Sequence, residues 1–521
     1  MVDQLGTRSD DEPSGPDLNL SAAQSRRLIE LASAHVLGFR EGLASGVHPA
    51  SYVDDSLDPA AYEDGIRAAK ELREDVVPTN GTSVEVLLGE IFGPAMANGT
   101  MHPHPGFMAH VPSGGLFQSA VADFVARSVN RFAGVWIAAP GFQQIERNVI
   151  RWFCSMLGYG EGSFGYLTTG GSIANFMAVV CAREHDERAR PAGGEPVLYV
   201  SAEGHFSITK AARMAGFPAS AVRVIPTTPA YAMDTDALIA HIEADRALGH
   251  RPTCVIATAG TTNSGAVDNL PLLAEYCRAH DIWLHVDACF GGFFHITERG
   301  RAALAGIENA DSIAVDGHKS LFLPHGNSAL LVRDQRRLGD AFRVSDAAYL
   351  PGLTTDDELV DFCGLGPELS REVRGVTAWL PLKMHGIHAF ERALDTAMDL
   401  AADFSARAAR LPGIEVIQPH PLVLPVVNFR LLPEHEGADE ARLNARLCAL
   451  ICSRKNAYLA TTQLPGYGVV VRVCILHPRT DAAVVGQLLD DITWALNRLR
   501  AESDTVGRSP RRAPRSGHRR C

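Results

Sequence analysis

The chain has 521 residues, 46% of them hydrophobic and 21% charged, with a formal net charge of −12. That length exceeds what one hydrophobic core organises, so two or three lobes are expected, and the acidic balance argues against nucleic acid as a bulk partner. No apolar run approaches the roughly 18 residues that span a bilayer. The polar start Met1–Asp17 lacks a secretory pattern, and the ten cysteines show no CxxC spacing, so the expectation is a reduced, cytoplasmic setting with no membrane partner and no metal site.

In chain order, residues 1–18 read as a flexible leader. Ser21 and Gln24 have capping-box spacing and open a helix through about Ala44. A second helical stretch runs from about Pro59 to Glu74. Both are amphipathic and lack a core of their own, so residues 19–100 are expected to pack on a partner subunit or on the main body. From about Met101, short β-rich runs alternate with helical patterns. Strands are expected at Pro196–Ser201, Ala221–Ile225, Thr253–Thr258, Ile282–Val286, Ser312–Val315 and Ser328–Val332. Helices are expected between them at Ile208–Ala215, Thr235–Ala247 and Leu270–His280. The alternation predicts an α/β fold, a mostly parallel sheet covered by helices, over residues 101–378.

After Trp379 a long helix, Pro381–Leu411, is followed by strands near Val423–Arg430 and Gly468–Cys474 and a closing helix, Asp481–Leu499. That pattern predicts a small α+β domain over residues 379–502. Cys448 and Cys452, at helical spacing, read as two buried small apolar groups. Residues 503–521 read as a disordered basic tail, since from Thr505 onward arginines occur with no acid.

Ligands of parallel α/β sheets bind beyond the carboxyl ends of the strands. Asp287 ends the run Ile282–Val286, Lys319 follows Ser312–Val315, and Thr258 ends another strand. A carboxylate there can keep a pyridinium nitrogen protonated, and a lysine can form an imine with an aldehyde. The cofactor that needs both is pyridoxal 5′-phosphate (PLP), a sink for the electrons left when a bond to an amino-acid α-carbon breaks. Gly170, Gly171 and Ser172 open a helical stretch, and glycines at a helix N-terminus suit a phosphate; alone, they would equally make an ordinary turn. His318 could bond the phosphate or shape the approach of Lys319. His205 follows another strand end and could lie flat on a cofactor ring. Asp287 read alone is also compatible with a helix cap.

These residues are set in Gly170-Gly171-Ser172, His205, Gly260-Thr261-Thr262, Val286-Asp287-Ala288 and Asp316-Gly317-His318-Lys319. With His104–Ser113, Trp136–Pro140 and Val471–Cys474, the set resembles the group II PLP-dependent amino-acid decarboxylases, in order, over roughly residues 90–500. The resemblance implies PLP fold type I: a large mostly parallel domain, an N-terminal helical arm used in dimerisation and a small C-terminal α+β domain. It implies a homodimer acting on a small amino-acid substrate. It also implies that Lys319 carries the cofactor, that Asp287 partners the pyridine nitrogen and that His205 stacks on the ring. Gly170, Gly171, Ser172 and His318 would surround the phosphate; Thr258 and Asp268, which flank the turn Gly260–Gly265, read from their positions as groups that support the cofactor site. His110, Pro112, Ser113, Phe362 and Arg472 would line the substrate pocket.

One departure bears on the product. In the family a mobile-loop tyrosine donates the proton that completes the reaction. The resemblance puts Phe362 at that position, or Leu365 for members that carry the tyrosine a few residues later; no tyrosine occurs between Tyr349 and Tyr458, and neither side chain has a proton to give. The expected activity is decarboxylation of an L-amino acid to the amine. The alternative is decarboxylation coupled to oxidative deamination, giving an aldehyde. A PLP-binding protein without turnover, an aminotransferase and a carbon–carbon lyase are the more remote readings.

Overall fold

The computed structural model describes residues 18–44, 59–96, 99–189, 194–343, 359, 361–417, 422–433 and 439–507. The expected leader, most of the segment between Tyr349 and Asp361, and residues 508–521 of the expected tail lie outside the described residues. The chain divides into two compact units, Met1–Met101 and His102–Cys521.

The first unit contains helices Ala22–Ala44, Pro59–Glu71 and Val84–Phe92. The capping box forms as its spacing predicts: Ser21 N–H donates to Gln24 Oε1 at 2.8 Å and Gln24 N–H donates to Ser21 Oγ at 3.2 Å. The reciprocal bonds satisfy donors that the first turn leaves without partners. The third helix was not expected. His35 meets Phe92 at 5.2 Å between ring centroids, while Leu28, Ile29, Leu37, Val86 and Leu87 stay exposed.

The second unit contains two sheets. The larger has seven strands, β1 (Phe164–Thr168), β2 (Pro196–Ser201), β3 (Val222–Ile225), β4 (Arg251–Thr258), β5 (Trp283–Asp287), β6 (Ser312–Asp316) and β7 (Ser328–Val332), in the order β1-β7-β6-β5-β4-β2-β3. The pairs from β6 across to β3 are parallel, and β7 runs antiparallel to both β1 and β6. The sheet is therefore mostly parallel, as the alternating pattern predicts. Every residue of β1, β5, β6 and β7 is buried, which fits strands covered on both faces.

The smaller sheet has four antiparallel strands, β8 (Ile414–Ile417), β9 (Val426–Leu431), β10 (Ala460–Leu464) and β11 (Gly468–Cys474), in the order β10-β11-β9-β8. Its core takes in Phe404, Phe429, Leu447, Val471 and Leu488, with Cys448 and Cys452 buried among them as thiols. Strands β8 and β10 were not expected; both are short, and β10 (Ala-Thr-Thr-Gln-Leu) alternates only weakly.

Three boundaries differ from expectation. The helix read as Pro381–Leu411 is two helices, Gly375–His385 and Ile387–Ala408. The break is at Gly386, whose φ of +69° suits a residue without a Cβ. The division drawn after residue 378 falls inside the first of these. The closing helix runs on to Gly507, into the segment read as tail.

Candidate active site

Because β1, β2, β4, β5 and β6 point the same way, their carboxyl ends form one edge of the large sheet. Thr168, Ser201, Thr258, Asp287 and Asp316 are the last residues of those strands, and Thr258 lies directly beside Asp287 in the β4–β5 register. The turns that follow enclose a cavity of about 280 Å³. It is lined by Gly170, Gly171, Ser172, His205, Thr258, Asp287, His318 and Lys319. Every residue that the sequence points to for the cofactor thus reaches one space, from five different strand ends.

Lys319 lies in a one-turn helix, Gly317–Ser320, that begins where β6 ends. Its Nζ is 2.9 Å from Asp316 Oδ2. Burial alone would lower the pKa of the ammonium; the Asp316 carboxylate, with lesser help from Cys289 and Asp287, outweighs that and raises it. Burial likewise works to raise Asp316, but Lys319, His318 and the Ser328 hydroxyl hold its carboxyl below the usual range. His318 Nδ1 is 3.2 Å from both the Asn327 carbonyl and Ser328 Oγ. Burial and the neighbouring Lys319 lower its pKa despite Asp316.

Asp287 is nearly buried. Its Oδ2 accepts from Asn175 Nδ2 at 3.0 Å and its Oδ1 from the Cys289 N–H at 3.2 Å. His205 Nδ1 is 2.7 Å from Ser207 Oγ, and burial lowers its pKa. Gly171 begins the helix Gly171–Ala189. A Cβ there would lie 2.4 Å from Cys289 Sγ and 3.0 Å from Asp316 Oδ1, so this turn admits only glycine at its present closeness. The helix therefore starts at the cavity wall, with its positive end toward the space.

The five residues assigned to a substrate pocket do not line this cavity. Arg472 lies one contact away: its Nε donates to the Thr262 carbonyl at 2.8 Å, Thr262 lines the cavity, and its Nη1 donates to the His110 carbonyl. His110 holds a φ of +53°. Pro112 and Ser113 are buried, with Ser113 Oγ donating to the Leu323 carbonyl at 3.4 Å.

Phe362 requires a correction. It is fully buried, its ring stacked on Phe164 at 6.3 Å and set against Tyr166 at 6.3 Å, with the Arg371 guanidinium 4.7 Å away. On either side the chain is pinned, by Trp136 N–H donating to Asp361 Oδ1 at 2.7 Å and Cys363 N–H donating to the Gly134 carbonyl at 2.9 Å. A ring held this way is part of the sheet's core and is not among the residues that line the cavity.

A family model described as the pyridoxal-dependent decarboxylase conserved domain matches residues 67–432. The chain is 35% identical over 415 residues to an aromatic-L-amino-acid decarboxylase of Bacillus atrophaeus, covering 79% of this chain and 85% of that one. The chain belongs to the pyridoxal-dependent decarboxylase family. It is also 26% identical over 451 residues to a phenylacetaldehyde synthase of Petunia hybrida, covering 83% of this chain and 87% of the relative. Its fold superposes on an Oryza sativa TDC solved with PLP and tryptamine at a TM-score of 0.84 and 24% identity, covering 92% of this chain and 99% of that one. This decarboxylase is therefore a group II, PLP-dependent carboxy-lyase of fold type I.

The residues present fit that cofactor. Two buried carboxylates, a lysine, a glycine cradle at a helix N-terminus and three histidines, His205, His318 and His325, border one cavity, and the cradle is one that a Cβ would fill. Sequence reasoning passed over Asn175, which touches Asp287, Ser207 and His285. The signal was there: Asn175 falls four residues after Gly171, on the same face of the helix. It also quoted Asp316 without giving it a role.

Proposed function

We propose that this decarboxylase acts on an aromatic L-amino acid and releases CO₂ and the amine, with Lys319, Asp287 and His205 as its catalytic residues. The observation that carries the reading is the convergence of those three side chains and the Gly170–Ser172 cradle on one cavity. PLP, when bound, supplies the sink for the electron pair left as the α-carbon–carboxylate bond breaks. Lys319 would carry the cofactor aldehyde, and Asp316, 2.9 Å away, would hold its Nζ at the cavity edge until the cofactor arrives. Asp287 would hold a proton at the pyridine nitrogen; its two donors orient the carboxylate and leave lone pairs for that task. Gly170, Gly171, Ser172 and His318 would hold the phosphate, Thr258 would flank the ring, and His205 would pack on it and stand ready to give a proton. His110, Pro112, Ser113 and Arg472 remain the proposed substrate side of the site, linked to the cavity through the Arg472–Thr262 bond.

Two observations support the aromatic class. The 35% identical Bacillus relative carries that activity in its name. Phe107, stacked on Tyr458 at 5.3 Å and 6°, lies beside His110 in the same segment. A second reading, the aldehyde product, is favoured by the lack of any tyrosine between Tyr349 and Tyr458 and by the Petunia relative named phenylacetaldehyde synthase.

A homodimer in a reducing, cytoplasmic compartment belongs to the same proposal. It is supported by the exposed apolar face of helix Phe117–Val129, with Val121, Phe124, Val125 and Val129, and by thiols at all nine described cysteines. An active monomer in solution would contradict the dimer. A panel of L-amino acids assayed for CO₂, amine and H₂O₂, in air and under nitrogen, tests the function. The expected result is CO₂ with amine in both atmospheres from an aromatic substrate. Peroxide and aldehyde formed only in air would select the second reading, and no CO₂ from any amino acid would overturn both.

A further inference from the structure

Behind the cavity a continuous hydrogen-bond chain runs along one face of the large sheet, where Trp283, His285 and Asp287 alternate along β5. Trp283 Nε1 reaches Ser312 Oγ at 2.8 Å, and Ser312 Oγ reaches His285 Nδ1 at 2.9 Å. His285 Nε2 is 2.9 Å from Asn175 Oδ1. Asn175 Nδ2 is 3.0 Å from Asp287 Oδ2 and 3.1 Å from Ser207 Oγ, which is 2.7 Å from His205 Nδ1. All the members but His205 are buried, where an unmade bond is costly.

The direction of every bond can be worked out from its two ends. An indole N–H only donates, so Ser312 Oγ accepts from Trp283 and keeps its own hydrogen for a further acceptor. A carboxylate only accepts, so Asn175 presents its amide NH₂ to Asp287 and its carbonyl oxygen to His285, which must donate from Nε2. With burial lowering its pKa to about 4, His285 is neutral, so Nδ1 is bare and accepts the Ser312 hydrogen. The second amide hydrogen of Asn175 goes to Ser207 Oγ, whose own hydrogen is left for His205 Nδ1. The Ser207 backbone N–H also donates to that nitrogen, at 3.3 Å. His205 Nδ1 is thus an acceptor twice over, and its proton belongs on Nε2.

We propose that Asn175 is a positioning residue that ties the two functional side chains of this site together. One amide orients the Asp287 carboxylate and, through Ser207, fixes His205 as the tautomer with its hydrogen on Nε2, a hydrogen-bond donor at the cavity wall. The inference rests on the proposed roles of Asp287 and His205 and adds how both are set by one group.

The test uses the full-length enzyme labelled with ¹⁵N-histidine, with and without PLP, the His205 signals being assigned by their loss in His205→Gln. The wild type is expected to show His205 with Nε2 protonated and Nδ1 bare. Ser207→Ala should give a mixture of tautomers, and kcat should fall by up to about 100-fold, the lower end of what a placed acid–base group contributes. Ser207→Thr, which keeps the hydroxyl, should restore both. Asn175→Leu, close in size but without the two donors, should weaken PLP binding on the order of tenfold, one lost charge-assisted bond. If Asn175→Leu fails to fold, the Ser207 pair decides the matter. A wild-type His205 protonated on Nδ1, or an unchanged tautomer in Ser207→Ala, overturns the proposal. The expected tautomers in an enzyme that releases no CO₂ would support the network and overturn the proposed function alone.

Discussion

Two clusters of buried charge sit on the same large sheet, and they are built for opposite ends. Beside β1, Arg371 pairs with Glu146, both fully buried, and its guanidinium lies between the rings of Tyr166 at 4.6 Å and Phe362 at 4.7 Å. Arg374 adds a two-pronged pair to Glu368, 2.7 Å on each side, and a bond to Glu372 at 3.1 Å. Opposite charge and aromatic faces close off these cations. At the end of β6, Lys319 is paired with Asp316 at 2.9 Å, yet its head borders a cavity of about 280 Å³. Burial and pairing occur in both places. What separates structure from chemistry is whether a charged group faces space that a ligand can fill.

Several substitutions would break or sharpen that contrast. Removing the lysine should have the largest effect: Lys319→Ala is expected to lower CO₂ release by more than about 10³-fold while the protein stays folded. Turnover close to wild type would mean that the open cluster is not catalytic. Arg371→Leu should act on the other cluster. It strands Glu146 without its partner, and breaking a buried pair costs about 3–5 kcal/mol, read as a lower denaturant midpoint, with turnover per folded molecule little changed. A cost below about 1 kcal/mol, the scale of an exposed pair, would show that the cluster is not sealed.

Asp316→Asn should have a smaller effect, and one that depends on pH. The folded value of Asp316 lies below its ordinary 3.8, so its stabilisation is present above 3.8 and is lost as pH falls through the folded value. The folded value of Lys319 lies above its ordinary 10.5, so its share is present below 10.5 and is lost as pH rises through the folded value. Cofactor-free wild type and variant should therefore differ in stability across the neutral range and converge in strong acid. A constant difference down to the lowest pH would contradict the pairing. Phe362→Tyr should have the smallest effect on chemistry. Its ring faces Phe164 and Tyr166, so the ratio of amine to aldehyde should not move; a shift toward amine would return this residue to the reacting carbon.

The cofactor edge was legible in the sequence because parallel strands end at one side of a sheet. Once β4, β5 and β6 are recognised by their apolar runs, Thr258, Asp287 and Lys319 must come close together. Residues brought in across the fold were not legible in this way. Arg371 and Phe362 face Tyr166 only because β1 pairs with β7 at the far end of the strand order, and nothing local in Phe362-Cys363-Gly364 distinguishes a loop from a core turn. The two missed strands, β8 and β10, are short segments of a small antiparallel sheet, where pairing partners rather than local pattern decide the structure. Gly386 was visible, but a glycine inside a helical pattern is tolerated often enough that the break was not read there.

The central claim is that the open cluster at the end of β6 carries the cofactor. Reduction of the PLP-loaded enzyme with borohydride, followed by peptide mapping, tests it most directly, because it fixes the cofactor on whichever nitrogen holds it. The account predicts a single labelled peptide with the modification on Lys319. A label on Lys210 or Lys383, or none on Lys319, would contradict it.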